Sequence, residues 1–73
     1  MESMVLEDGT VANEGDTVWN FYDMVPALIV SIGSDGWADT ECYDEEKDLT
    51  THPMLDGSRM CSLAFARKKG WTK

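Results

Sequence analysis

Fourteen carboxylates, one histidine and two cysteines are the side chains of this 73-residue chain with the widest chemical reach. Their spacing argues against catalysis. His52 follows Thr50 and Thr51, and no Gly-x-Ser-x-Gly elbow supplies a nucleophile, so it reads as a surface residue rather than a general base. Cys42 and Cys61 form no Cys-x-x-Cys pair, and with a single histidine they fall short of the four ligands of a structural zinc site. The run Asp44-Glu45-Glu46-Lys47-Asp48 lacks the alternating ligands, central glycine and terminal glutamate of an EF-hand. Adjacent carboxylates there point different ways, which allows weak cation attraction and no more. Neither glycine pattern that cradles phosphates is present, so no nucleotide and no cofactor are expected.

The carboxylates act collectively instead. All 14 lie in residues 1–56 with Lys47 as the sole cation, whereas residues 57–73 hold Arg59, Arg67, Lys68, Lys69 and Lys73 and no acid, so the net charge of −8 divides into −13 and +5. Such a body repels DNA and RNA at a distance and attracts basic surfaces. Arg67, Lys68, Lys69 and Trp71 would suit a nucleic-acid contact if taken alone. The field of the rest of the molecule opposes it, and these cations read as the favoured end of a helix dipole, with no direct nucleic-acid contact expected.

The elements that must position these groups are short strands. Asp8-Gly9, Asp35-Gly36, Asp56-Gly57 and the stretch Asn13-Glu14-Gly15-Asp16 are turn signals. Between them, Thr17–Tyr22 reads as a strand with Trp19 and Phe21 on one face and Val18 and Tyr22 on the other. Ala27–Ile32 reads as a central strand buried on both faces through Leu28, Ile29 and Val30. Trp37–Tyr43 alternates, with Ala38, Thr40 and Cys42 inward and Trp37, Asp39, Glu41 and Tyr43 outward. Asp44–Asp48 is an acidic loop. Leu49–Leu55 and Ser58–Leu63 are expected to form a last hairpin about Asp56-Gly57. Ser62 should then cap a short helix through Ala66 that Gly70 stops. Trp19, Phe21, Leu28, Val30, Ile32, Leu63 and Phe65 supply the expected core.

The expected class is mainly β: a small, SH3-like or partly open five-stranded antiparallel barrel with a short C-terminal helix. Residues 1–73 make one domain, with 1–8 and 71–73 as flexible ends. A core this small is marginal, and homodimerisation is one route to added stability. The longest apolar run, Met24–Ile32, is far short of a bilayer span, so no membrane association is expected. The N-terminal MESMVLEDG lacks a basic and then apolar leader, so a cytoplasmic setting is expected, with Cys42 and Cys61 reduced. In an oxidising compartment the pair would instead be expected to bridge.

Two resemblances bear on function. The segments GDTVWNFYDM, SDGW and LDGSRMCSLAFARKKGW, spanning roughly residues 8–71, resemble a loose pattern in small uncharacterised proteins of phages and prophages. That likeness implies an accessory role in a mobile element, a group that includes compact acidic inhibitors of host defence such as anti-CRISPR proteins. Gly15-Asp16 and Asp35-Gly36-Trp37 resemble positions in SH3 domains, which implies Trp37 beside acidic residues in a groove for basic or Pro-rich peptides. The chain lacks the ALYDY-type segment before Gly15 and the Pro-Ser-Asn-Tyr signature near its end.

The resulting expectation is a protein that is not an enzyme, with a partner-binding face made of Asp35, Trp37, Asp39, Glu41, Tyr43, Asp44, Glu45, Glu46 and Asp48. The expected partner is a basic nucleic-acid-binding host protein or complex, blocked by nucleic-acid mimicry. Alternatives are a structural or assembly module of a phage or mobile element, and an SH3-like reader of basic or Pro-rich peptides.

Overall fold

Gly36 adopts φ 86°, a left-handed value that costs glycine nothing, and this closes the turn on which the main hairpin hinges. Asp35 accepts the Trp37 N–H at 3.1 Å and secures the far side of that turn. The computed structural model describes residues 3–72. Its strands are β1 (Ser3–Val5), β2 (Val11–Asn13), β3 (Thr17–Asn20), β4 (Val25–Ile32), β5 (Ala38–Asp44), β6 (Leu49–Thr51), β7 (Met54–Leu55) and β8 (Met60–Cys61). One helix, α1 (Leu63–Lys68), follows them. The fold is mainly β and antiparallel, as expected.

The larger sheet has the order β6-β5-β4-β3-β8, with β7 also on β5; β1 and β2 form a separate hairpin. Cys42 faces Thr51 and Asp39 faces Met54, so β6 and β7 lie in one register along β5, as a single arm interrupted at His52 and Pro53. Pro53 has no N–H for the ladder. Thr40 spans the gap by donating its hydroxyl to the Pro53 carbonyl at 2.7 Å. Leu49–Leu55 is therefore extended as expected, but its partner is β5 across the acidic loop.

The hairpin expected about Asp56-Gly57 is not formed. A 3-10 turn over Gly57–Arg59 carries the chain across to β3, where Asn20 pairs with Met60 and Trp19 with Cys61. Asp56 Oδ1 holds this turn by accepting from the Ser58 hydroxyl at 2.6 Å and from Arg59 Nη1 at 2.9 Å. Gly57 is required for space: a Cβ there would run into the Val5 carbonyl oxygen.

Strand register assigns the side chains to two layers. Val18 faces Ala27 and Ala27 faces Cys42, which places these three on one side of the sheet. Beneath them Met4, Leu6, Ala12, Ile29, Ile32, Ala38, Leu55 and Met60 complete the main core. Ile29, fully buried, stabilises the fold by about 1.5–3 kcal/mol. The inward set Ala38, Thr40 and Cys42 is buried as the alternation predicts. Met4 and Leu6 belong to this core although 1–8 was expected to be a flexible end; residues 1, 2 and 73 lie outside the described residues.

The opposite side of the sheet is only half covered. Trp19, Cys61 and Ala66 are buried there, with Phe21, Leu63, Phe65 and Trp71 packed around them. Ser62 caps α1 by accepting the Phe65 N–H at 3.1 Å, and Gly70 leaves the helix at φ 78°, as expected. A helix of six residues is about 9 Å long and shields little more than two strands. Beyond β3 and β8 the sheet is open, so β4 is central but not buried on both faces: Leu28 is 37% exposed and Val30 52%. Val30 is the extra residue of a bulge between Ile29 and Ser31, which keeps it on the open side. Tyr22 lies past the end of β3 and is exposed rather than packed beside Val18.

Candidate functional site

Two depressions share a border on the open side. Thr17, Pro26, Leu28, Glu41, Tyr43 and Thr50 line a shallow one of about 290 Å³ over β3 to β6. A larger groove of about 680 Å³ runs from it toward the acidic loop, with Trp19, Tyr43 and Trp71 as aromatic walls and Asp23, Asp44, Glu45 and Glu46 as carboxylates. Pro26 and Tyr43 line both, so the two form one continuous surface.

The groove is framed by two turns with assigned hydrogen bonds. At the end of β3 the buried Asn20 accepts the N–H groups of Tyr22 and Asp23 at 3.0 and 3.1 Å and donates Nδ2 to Asp23 Oδ2 at 3.0 Å. That network holds Met24 at φ 60° and fixes Asp23 at the groove's lip. Across from it, Asp44 Oδ1 accepts the N–H groups of Glu46 and Lys47 at 3.0 and 3.4 Å. Tyr43 donates its hydroxyl to Asp48 Oδ1 at 2.7 Å. This hydrogen bond, then burial and the charges of Glu45 and Asp44, push the Tyr43 phenol above the ordinary tyrosine range.

Glu45 and Glu46 are exposed, and among the described residues no basic side chain forms an ion pair with Asp39, Glu41, Glu45 or Glu46. Arg59 is engaged elsewhere: it pairs with Asp56 and lies 5.3 Å from the Trp37 ring centroid and 5.5 Å from that of Tyr22. Lys69 lies over Phe65 at 5.4 Å. Among the described residues, the carboxylates of the open side therefore outweigh the cations near them and project a negative field.

The residues expected from sequence to form one face divide between the two ends of β5. Glu41, Tyr43, Asp44, Glu45 and Glu46 line the two depressions, and Asp48 joins them through the Tyr43 hydroxyl. Asp39 shares the open side with Leu28 and Glu41, and accepts the Ser31 hydroxyl at 3.1 Å. Asp35 and Trp37 stand at the opposite end of the strand, about 20–30 Å along the chain, with Trp37 half-buried against Arg59. The SH3 likeness placed Trp37 in a groove, but the groove residues are Trp19, Tyr43 and Trp71.

Sequence reasoning missed Trp19, Asp23, Met24, Pro26 and Trp71 as surface-forming residues. The pairing of Trp19 with Pro26 across β3 and β4 brings the first four together, and Asp23-Met24 carried a turn signal too weak to read. Trp71 reaches the groove by stacking on Phe21 at 5.7 Å and meeting Phe65 edge-on at 6.1 Å. Among the described residues no helix is long and apolar enough to cross a membrane. Comparison of the chain with protein-family models, with curated proteins and with solved structures yields no match.

Proposed function

We propose that this protein is a phage-type interaction protein that acts by binding rather than catalysis, docking its acidic open side on a basic nucleic-acid-binding host protein or complex in the cytoplasm. The observation that carries this reading is the continuity of carboxylates without an ion-pair partner among the described residues with an exposed apolar sheet face: Asp39, Glu41, Glu45 and Glu46 surround Pro26, Leu28 and Tyr43. Fixed carboxylates can occupy lysines and arginines that otherwise hold phosphates, while the apolar centre provides contact area once the encounter has formed. Inhibition then follows by competition with nucleic acid, in the manner of an anti-CRISPR protein.

The test takes the partner captured from host extract and measures binding kinetics at low and high salt with and without competing nucleic acid. Asp39→Lys with Glu41→Lys should slow association more than it speeds dissociation, because screened charges steer encounter over about 8–10 Å. Affinity indifferent to salt, to nucleic acid and to both reversals refutes mimicry. Exposed Leu28, Val30 and Met54 favour a second reading, a packing module of a virion or mobile element. In that case truncation of those side chains weakens binding far more than charge reversal does.

A further inference from the structure

The groove has a property that an acidic patch alone lacks. Trp19 is 5% exposed, lines the groove, and its indole Nε1–H is buried without an acceptor among the described residues. A buried donor left unpaired is destabilising, so an acceptor that reaches it gains more than an ordinary surface hydrogen bond. The same groove holds Glu45, Glu46 and Asp23, together with the aromatic side chains of Tyr43 and Trp71. One ligand must then offer both a hydrogen-bond acceptor and a cation that stacks on aromatic rings.

We propose that the groove takes an arginine side chain presented by an extended peptide segment, and that the segment parts the groove's side chains so that one of its peptide carbonyls accepts the Trp19 Nε1–H, which is sealed from solvent in the free protein. This rests on the reading that the partner is a basic protein, and it specifies how that partner is held. A guanidinium is planar, stacks on aromatic faces and bonds carboxylates through a fork of donors, whereas an ammonium is a compact, strongly hydrated charge. A free metal ion would satisfy the carboxylates but leave the indole unpaired. An anionic ligand could accept from the indole but would be repelled by the carboxylates around it. A volume of about 680 Å³ lies within the usual range for a ligand cleft and leaves room for neighbouring peptide backbone.

The experiment titrates ¹⁵N-labelled protein with a capped Gly-Arg-Gly-Arg-Gly peptide, and in parallel with the same peptide carrying citrulline in place of arginine. Trp19→Phe keeps the ring's apolar contacts, assigns the indole signal by its loss, and is checked by thermal melting. The proposal expects the Trp19 indole N–H signal to shift on saturation. It expects citrulline to abolish binding and Trp19→Phe to weaken it by about three- to tenfold, the worth of one hydrogen bond. Glu45→Gln with Glu46→Gln, both on the exposed loop, should weaken it by about tenfold at low salt without changing the melt. An unmoved Trp19 signal, equal binding of the citrulline peptide, or full affinity in the glutamine variant overturns it. If the peptide fails while Asp39→Lys and Glu41→Lys still disrupt partner binding, the groove assignment is wrong and the acidic-face reading stands. If the peptide binds as expected while partner binding ignores salt and reversals, the groove assignment stands without nucleic-acid mimicry.

Discussion

Ser62 donates its hydroxyl to Asp8 Oδ2 at 2.7 Å across 54 residues of chain, while the Ser62 Oγ itself accepts the Phe65 N–H that begins α1. Asp8 also receives the Thr10 hydroxyl at 2.8 Å. One carboxylate thereby ties the β1–β2 turn to the helix that covers Trp19. Burial pushes the Asp8 carboxyl up, but the hydrogen bonds from Ser62 and then Thr10 outweigh it and hold the group below its ordinary value.

A depressed carboxylate contributes stability above its unfolded-state value and loses it as pH falls through the lower folded value. The domain should therefore weaken in acid below about pH 4, and Asp8→Asn should flatten that part of the profile. At neutral pH the substitution should cost about 1 kcal/mol, reduced by solvent screening at this partly exposed site. Urea melts of both proteins from pH 2 to 7 check this; identical acid limbs would show that Asp8 does not couple to folding.

Gly36 and Gly57 should fail differently on substitution. Gly57→Ala drives a methyl into the Val5 carbonyl and must shift β1 or the 3-10 turn, a strain expected to cost roughly 2–3 kcal/mol. Gly36→Ala has open space around it and suffers only from φ 86°, for about 1 kcal/mol. Denaturation midpoints of the two variants should rank Gly57→Ala lower.

The Tyr43 phenol should ionise above the ordinary tyrosine range, and Asp48→Asn should bring it down by removing the charged acceptor at 2.7 Å. Ultraviolet or NMR titration of Tyr43 in the two proteins measures the difference. A Tyr43 that titrates alike in both would mean that the acidic loop is not closed by this contact.

Leu28→Thr with Val30→Thr alters two exposed side chains and should change stability by no more than about 0.5–1 kcal/mol. If the open side is the docking face, the same pair should speed dissociation of the captured partner with little effect on association. Unchanged dissociation would move the interface off the sheet.

Local signals in the sequence located what short-range chemistry controls. The Asp35-Gly36 turn, the inward alternation of Ala38, Thr40 and Cys42, the acidic loop and the Ser62 cap were all legible, because each is fixed within about six residues. Pairing over longer distances was not. Asp56-Gly57 has the composition of a hairpin turn, yet Asp56 uses its carboxylate to close a 3-10 turn, and Met60 pairs with Asn20 some 40 residues back. Leu28 and Val30 look buried by hydropathy, and only the shortness of α1 leaves them in the open. The carboxylates of the proposed docking face could be read from the run Asp44–Asp48, whereas Trp19 and Trp71 reach the groove through contacts that no spacing rule encodes.

Cys42 and Cys61 are both free and buried, but register sets them on opposite sides of the sheet, Cys42 in the main core beside Asn20 and Thr40 and Cys61 in the smaller cluster with Trp19 and Ala66. Burial, and then the charge of Asp8, raises the Cys61 thiol and keeps it unreactive in the closed state. This placement leaves no bridge between the two within the folded chain, and each thiol is buried in its own cluster. Alkylation under native conditions should time the two openings separately: detachment of the six-residue helix exposes Cys61, whereas exposure of Cys42 requires the main-core side of β5 to open.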